Sequence, residues 1–332
     1  MITNPLGFAG RSSLSARTRH GWSKGLQLAP DLYPGIGGKR FRGALVQWAY
    51  TFAGGSGRAP EEIIDAVEML HAGALVIDDF EDDSQTRRGQ PALHRVIGSA
   101  RAVNAGNWMY FRALELAGAT YDHPGKSATL LTRLVEVARQ CHEGQAIDLS
   151  TRVDEVTPRQ AQATAVAISR WKTGRLVSLA AWCGAHAADG TPQILRAVAG
   201  FGCRVGICLQ MRNDLDELTA LVEGADRCDD LRNRRVTWPW AWAAIEFSEQ
   251  QFCHLQRRLR QLPRHPAGFR PFARELLEGV QGRAVAAIAD RLDRAIGRLT
   301  TATGAGPGID ALTEVTNVLR VARVSTPVEV MP

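Results

Sequence analysis

The sequence lacks the features that mark secreted, zinc-bound and membrane-spanning proteins. Its six cysteines form no CxxC pair and no metal-ligand spacing, so a disulfide framework and a zinc staple are excluded and free thiols in a reducing cytoplasm are expected. No apolar run approaches the roughly 20 residues that span a bilayer, so we predict no transmembrane segment. Alternation of apolar and polar residues with period two is rare, which argues against a β-rich fold.

The charge balance argues against nucleic acid as a partner. The net charge is +6 over 332 residues, and the arginines are scattered along helical stretches rather than clustered. Residues 1–30 carry arginine and lysine but no acidic residue, a composition shared by transit peptides and by disordered basic arms. We favour the arm.

Apolar residues recur at helical spacing along most of the chain. In the stretch 63–77 they stand at i, i+3, i+4 and i+7, and the same spacing returns in later segments separated by glycine- and proline-rich breakers. Several segments are alanine-rich and apolar on all sides, as helices buried inside a bundle are. We therefore predict an all-α fold with one large helical domain over residues 26–323, a flexible N-terminal arm over 1–25 and a flexible tail over 324–332.

The stretch DDFEDDSQTRRGQPALH, residues 78–94, concentrates acidic side chains at the end of an apolar helix. Asp78 and Asp82 stand at i and i+4, so both carboxylates leave the same helix face, and Asp79 and Asp83 form a second such pair. Like charges at the inner end of a core helix need a counter-charge, and oxygen ligands favour Mg²⁺ over zinc. The alternative is a charged helix end held by salt bridges.

Two arginines, Arg87 and Arg88, follow these acids at once. Guanidinium groups match phosphate oxygens bidentately, and Mg²⁺ held by carboxylates keeps positions open for phosphate. Acids for a metal followed by arginines for phosphate are the composition of a metal–diphosphate site.

Two further clusters suit the same chemistry. GIGGKRFRG, residues 35–43, combines glycines that let the backbone approach an anion with three basic side chains. LQMRNDLDEL, residues 209–218, is a second acidic group, with Asn213 and Glu217 at i and i+4 and Asp214 beside them. Each cluster alone fits an ordinary basic loop or polar helix end, but facing acidic clusters on two helices are how helical bundles build metal sites.

Together these motifs resemble the trans-isoprenyl diphosphate synthase (polyprenyl synthetase) family over about residues 35–245, and its geranylgeranyl diphosphate synthases in particular. GGKRFR is similar to the family's basic loop, and LHAGALVIDDFEDDSQTRRGQPALH is similar to its first aspartate-rich motif. EGQAIDL, WKTG and DDLRNRRVTWP resemble its GQxxDL, KTG and DLxxGKxTxP segments, and QMRNDLDE resembles its second aspartate-rich motif imperfectly.

The resemblance implies an isoprenoid-synthase helical bundle with a central active-site cavity, a homodimer, and a Mg²⁺-dependent condensation of isopentenyl diphosphate with an allylic diphosphate to a linear prenyl diphosphate. It implies three Mg²⁺ ions when diphosphate is bound. The implied metal ligands are Asp78, Asp82, Asn213, Asp214 and Glu217, with Asp79 supporting. The implied ligands of the leaving diphosphate are Arg87, Lys172 and Arg235, and those of isopentenyl diphosphate are Lys39, Arg42, His71 and Arg88. Thr173 and Gln210 would turn oxygen dipoles toward the allylic cation. The implied catalytic set is Asp78, Asp79, Asp82, Lys172, Thr173, Gln210 and Asp214.

The resemblance also suggests a product length. In the family, aromatic side chains four and five residues before the first motif stop growth at farnesyl length. Here those positions are Ala74 and Gly73, which favours the longer geranylgeranyl product. Trp108, Tyr110 or Phe111 would form a deeper floor of the cavity.

Departures from the family pattern keep two other functions open. Asn213 replaces an aspartate and brings no charge, while Arg234 and Arg235 replace the glycine and lysine of the GK pair. A second motif that begins Asn-Asp, together with the tryptophans of TWPWAWA, would suit a terpene cyclase on the same fold, because aromatic faces stabilise cations. Against this, Glu217 and Leu221 do not complete a cyclase motif, and core packing also explains the tryptophans. A regulatory subunit of a heteromeric synthase is the third hypothesis, and the nearly complete first motif argues against it.

Overall fold

The computed structural model describes residues 41–311 except 88, 227, 264, 305 and 307, together with residues 316 and 319. The predicted arm and tail, and the predicted ligands Lys39 and Arg88, lie outside the described residues. The domain boundaries therefore stay a prediction.

The described residues form twelve α-helices and one short hairpin, which confirms the predicted all-α fold. The helices are α1 (Phe41–Phe52), α2 (Glu61–Glu81), α3 (Leu93–Ile97), α4 (Ser99–Gly118), α5 (Pro124–Ser150), α6 (Pro158–Ile168), α7 (Arg175–Ala187), α8 (Pro192–Val222), α9 (Asp229–Arg232), α10 (Trp238–Glu246), α11 (Glu249–Gln261) and α12 (Pro266–Thr303). The hairpin pairs β1 (Thr86–Arg87) with β2 (Gln90–Pro91), antiparallel. A 3₁₀ turn covers Val153–Glu155, and a π-helix covers Ser169–Gly174 between α6 and α7.

Local sequence signals explain where several helices begin. Thr157 and Gln160 form a capping box at the start of α6, and Ser248 and Gln251 form another at the start of α11. In each, the hydroxyl accepts from a backbone N–H that the helix itself leaves unpaired. Proline stands at the first positions of α5, α6, α8 and α12, where its missing N–H costs nothing.

Contacts group the described chain into two compact units, residues 71–111 and residues 41–70 with 112–319. In the larger unit, α8 packs against α7 and α12, and α1 packs against α7. The α8 helix is long and apolar enough to cross a bilayer by length and composition, a test that core helices of soluble proteins also pass, and half of its most apolar window is buried. All six cysteines are free thiols.

The smaller unit brings the end of α2 against α4. A Cβ atom on Gly73 would lie 2.9 Å from the Gly106 carbonyl oxygen and 3.1 Å from Met109 Cβ, so only glycine allows this helix approach. Gly73 is therefore required by helix packing, whatever its effect on product length. Phe111 is 71% exposed, while Met109 is fully buried.

Candidate active site

The first acidic motif lies at the end of α2 and in the turn that follows it. Asp79 is buried, and Arg87 Nε donates to its two carboxylate oxygens at 2.8 and 3.1 Å. The β1–β2 hairpin, with Arg87 opposite Gln90, turns the chain back so that Arg87 also reaches Asp78 Oδ2 at 3.7 Å. One guanidinium thus neutralises the buried carboxylate next to Asp78.

The other aspartates of this motif differ in position and in partner. Asp83 lies past the helix end with a left-handed φ of 53° and is ion-paired with Arg95. Asp78 and Asp82 are half-buried, and although α2 ends at Glu81, the Asp82 N–H donates to the Asp78 carbonyl at 2.9 Å and continues the helical spacing. Asp79 and Asp83 therefore bind arginines, Asp78 also lies within ion-pair distance of Arg87, and the i, i+4 spacing of Asp78 and Asp82 suits a shared cation. His71, two turns before Asp78, is half-buried on the same helix.

The second acidic motif is organised around Asp214, a buried residue of α8. Its Oδ1 accepts from Gln210 Nε2 at 2.6 Å, and its Oδ2 accepts from the Trp238 backbone N–H at 2.9 Å. Burial raises the pKa of Asp214, the bonds from Trp238 and Gln210 oppose this, and the nearby Asp148 and Glu217 charges add to it. Asp214 is thus a fixed acceptor that orients its neighbours.

Gln210 passes this orientation on to Thr173. Because Gln210 Nε2 donates to Asp214, its Oε1 faces the other way and accepts from Thr173 Oγ1 at 2.6 Å. The Thr173 proton is therefore committed to Gln210, and the lone pairs of the hydroxyl point elsewhere. Two oxygen dipoles are held in place by one buried carboxylate.

The π-helix presents Lys172 and Thr173 beside α8. A Cβ on Gly206 of α8 would lie 2.7 Å from Gly174 Cα and 2.9 Å from the Thr173 carbonyl oxygen, so the two segments touch backbone to backbone. Such π-turns often mark functional sites. At the other end of this segment, Ser169 Oγ accepts from Trp238 Nε1 at 2.7 Å.

Two cations bind different oxygens of one residue of α5, Asp148. Lys172 Nζ donates to Asp148 Oδ2 at 3.0 Å, and Arg235 Nη1 donates to the Asp148 backbone oxygen at 2.7 Å. Arg235 is 4% exposed, so its guanidinium lies inside the protein. The sequence predicted that EGQAIDL belongs to a family segment but gave Asp148 no role in the site. The aspartate within that segment is the signal that could have identified it.

The other predicted ligands of the second motif are placed differently. Asn213 is exposed, and Glu217 is half-buried with Oε1 accepting from the Asp230 backbone N–H at 3.2 Å. Asp216, between them in sequence, pairs with Arg212 at 2.6 Å. Arg42, predicted to bind isopentenyl diphosphate, is half-buried in α1.

The donor chemistry suits Mg²⁺ bound together with a phosphate ligand. Within the part of the chain that the structure describes, no three His, Cys, Asp or Glu side chains lie close enough to hold an ion by themselves. The candidate donors are all oxygens, and Mg²⁺ is usually held by one or two carboxylates plus water and substrate phosphates. Asp78 and Asp82 fit that requirement.

The tryptophans of TWPWAWA lie in the core. Trp240 packs edge-on against Phe252 at 5.6 Å and in a tilted arrangement against Phe272 at 5.9 Å, and Trp242 is 1% exposed. Their burial is explained by packing, so they give no support to a cyclase cavity.

Comparison with known proteins places this chain among prenyl synthases. A model of the family described as Polyprenyl synthetase matches residues 26–270. Geranylgeranyl pyrophosphate synthase of Eremothecium gossypii is 31% identical over 206 residues, which cover 61% of this chain and 64% of that protein. Geranylgeranyl diphosphate synthase of Methanosarcina mazei is 30% identical over 203 residues, covering 60% and 62%. The matched region thus spans less than two thirds of either relative.

Solved structures share the fold over nearly the whole chain. A polyprenyl synthase from Caulobacter crescentus CB15, complexed with calcium and isoprenyl diphosphate, superposes with a TM-score of 0.77 at 24% identity and covers 90% of this chain and 89% of that one. Geranylgeranyl pyrophosphate synthetase from Pyrococcus horikoshii gives a TM-score of 0.73 at 24% identity, covering 90% and 91%.

Proposed function

The chain belongs to the polyprenyl synthetase family, and from that premise we propose that it is a Mg²⁺-dependent prenyltransferase. It condenses isopentenyl diphosphate with an allylic diphosphate and releases diphosphate. The observation that carries the proposal is the cluster around Asp148 and Asp214, where two cations, Lys172 and Arg235, and two oxygen dipoles, Thr173 and Gln210, are held by hydrogen bonds.

The metal would be held by residues of both acidic motifs. Asp78, Asp82, Asn213, Asp214 and Glu217 supply only oxygen donors. Mg²⁺ bound there would draw charge from the diphosphate and make it a better leaving group. Three ions are proposed when diphosphate is bound, and calcium with isoprenyl diphosphate in the Caulobacter crescentus structure is consistent with a divalent cation at this fold.

The chain's own side chains divide the chemistry between two substrates. Arg87, Lys172 and Arg235 bind the leaving diphosphate as the allylic C–O bond breaks, which stabilises the charge that develops there. The Thr173 hydroxyl and Gln210 carbonyl oxygens face the allylic cation. Lys39, Arg42, His71 and Arg88 bind isopentenyl diphosphate, whose double bond forms the new C–C bond. The released diphosphate accepts the proton, and exclusion of water protects the cation.

We further propose a geranylgeranyl-length product. Ala74 stands four residues before Asp78 on the same helix face and is small, and the two relatives named above are called geranylgeranyl synthases. We also propose the homodimer and the cytoplasmic location expected from the sequence. Light scattering of the purified protein measures its mass in solution and so tests the homodimer.

Product analysis tests the proposal. Purified protein is incubated with Mg²⁺, isopentenyl diphosphate and geranyl or farnesyl diphosphate, and the mixture is extracted with and without phosphatase. We expect geranylgeraniol only after phosphatase treatment. A hydrocarbon that extracts directly and forms without isopentenyl diphosphate would show a cyclase instead, and no product under any condition would favour a regulatory subunit.

A further inference from the structure

We propose that Asp154 is a positioning residue for the diphosphate site: it holds the Asn233–Arg235 segment so that Arg235 reaches Asp148. The inference rests on the proposed function, because it takes Arg235 as a ligand of the leaving diphosphate.

Asp154 is a buried carboxylate that joins two distant arginines. It lies in the 3₁₀ turn after α5, and its side chain is 1% exposed. Its Oδ2 accepts from Arg234 Nη1 at 2.7 Å and from Arg260 Nε at 2.6 Å. Arg234 comes from the loop after α9 and Arg260 from α11, so one carboxylate ties three separate parts of the chain together.

The backbone of the Arg234 loop is bonded to the same turn. The Val153 N–H donates to the Arg234 carbonyl at 2.8 Å, and Arg152 Nη1 donates to the Asn233 carbonyl at 2.6 Å. Gln256 Nε2 closes the turn from the other side by donating to the Val153 carbonyl at 2.6 Å. The loop therefore cannot shift without breaking its bonds to the Asp154 turn.

Arg234 occupies a backbone position that favours glycine. Its φ of 55° is left-handed, a conformation that glycine adopts without strain and a long side chain does not. The family pattern that this segment resembles has glycine here. In this chain the Asp154 carboxylate holds Arg234 in this conformation, so the ion pair offsets a backbone strain that glycine would not have.

The held loop places the next residue, Arg235. Its backbone N–H donates to the Asp230 carbonyl at 2.8 Å, and its guanidinium reaches the Asp148 carbonyl, beside the Lys172–Asp148 ion pair. Arg235 is thus held by hydrogen bonds at its backbone N–H and at its guanidinium. A loosened Arg234 loop would move this cation relative to Lys172 and weaken the grip of both on diphosphate.

The charge on Asp154 is stable under assay conditions. Burial alone would raise the pKa of Asp154, but the Arg260 hydrogen bond and the charges of Arg234 and Arg260 outweigh it and lower the pKa. The carboxylate is therefore ionised at neutral pH, and Asp154→Asn removes a charge while keeping the side-chain shape.

The test measures Asp154→Asn by steady-state kinetics and by calorimetric binding of inorganic pyrophosphate with Mg²⁺. We expect KM for the allylic diphosphate and Kd for pyrophosphate to rise about tenfold, as loss of one charge-assisted contact implies, with KM for isopentenyl diphosphate unchanged. Asp189→Asn is the matched control, because Asp189 is also an ion-paired aspartate, bonded to Lys126, but is 81% exposed, and it should behave as wild type.

A double-mutant cycle decides whether Asp154 acts through Arg235. In an Arg235→Gln background, Asp154→Asn should raise the pyrophosphate Kd no further. An equal rise in both backgrounds, or a fall in melting temperature with the allylic KM unchanged, would show a merely structural role. If Asp154→Asn does not fold, Arg260→Gln replaces it as the test, because the Arg260 side chain is 51% exposed. It must raise the pyrophosphate Kd by a smaller factor, or the proposal fails. A wild type that binds pyrophosphate but does not consume isopentenyl diphosphate would refute the proposed function and leave the binding cycle decisive for positioning.

Discussion

Replacing Thr173 with valine removes a hydroxyl while keeping the side-chain shape, and the structure predicts its effect. Thr173 Oγ1 donates to Gln210 Oε1 at 2.6 Å, so in the proposed function the lone pairs of the hydroxyl would be turned to the allylic cation. Losing one preorganised dipole at a developing charge should lower kcat about tenfold to a hundredfold. Losing the hydrogen bond should lower the free energy of unfolding by about 1 kcal/mol, which is about 2 °C in melting temperature for a domain of roughly 300 residues.

The assay separates the two effects. Single-turnover rates with isopentenyl diphosphate and farnesyl diphosphate give the chemical step, and scanning calorimetry gives stability. Thr173→Ser keeps the hydroxyl and should retain most of the rate, while the KM for isopentenyl diphosphate should not change in either variant. A Thr173→Val rate within about twofold of wild type, or a Thr173→Ser rate as low as that of Thr173→Val, would refute the assigned role.

Three other predictions concern Ala74, Asn213 and Asp154. Ala74→Phe should shorten the product from geranylgeranyl to farnesyl diphosphate, seen by chromatography of the dephosphorylated alcohols; an unchanged product would show that Ala74 does not face the growing chain. Asn213→Asp should lower the Mg²⁺ concentration for half-maximal rate, because a carboxylate adds charge where asparagine has none, and an unchanged Mg²⁺ response would remove Asn213 from the ligand set. Because the pKa of Asp154 is lower in the folded protein than its unfolded value of about 3.9, the stabilisation that it gives is complete above that value and is lost as pH falls through the folded pKa. Denaturant titrations at pH 6 and at about pH 3 should therefore show a larger loss of unfolding free energy for wild type than for Asp154→Asn; equal losses would contradict the ion pair.

The part of the site that sequence reasoning predicted depends on local spacing. Helical periodicity predicted Asp78 and Asp82 one turn apart; in the structure α2 ends at Glu81, and the Asp82 N–H still donates to the Asp78 carbonyl at 2.9 Å. The resemblance to the family's KTG segment, rather than spacing, pointed to Lys172 and Thr173. The Asp78–Asp82 spacing needs only the repeat of one helix, which is visible in a single sequence.

The missing part depends on contacts between distant segments. Asp154 meets Arg234 and Arg260 across 80 and 106 residues, and no local pattern predicts which of many arginines a buried acid will meet. The π-helix at Ser169–Gly174 also escapes prediction, since it arises from a shift in backbone hydrogen bonding beside Gly206. Gly73 has a second explanation that sequence could not supply: its small size predicts a longer product, and the close approach of α2 and α4 also requires glycine.

The central claim is that this chain couples diphosphate release to consumption of isopentenyl diphosphate. The direct measurement is diphosphate released by purified protein with farnesyl diphosphate and Mg²⁺, with and without isopentenyl diphosphate. We expect one diphosphate for each isopentenyl diphosphate consumed and none in its absence or with Asp78→Ala. Release from farnesyl diphosphate alone, at a rate that isopentenyl diphosphate does not change, would contradict the account.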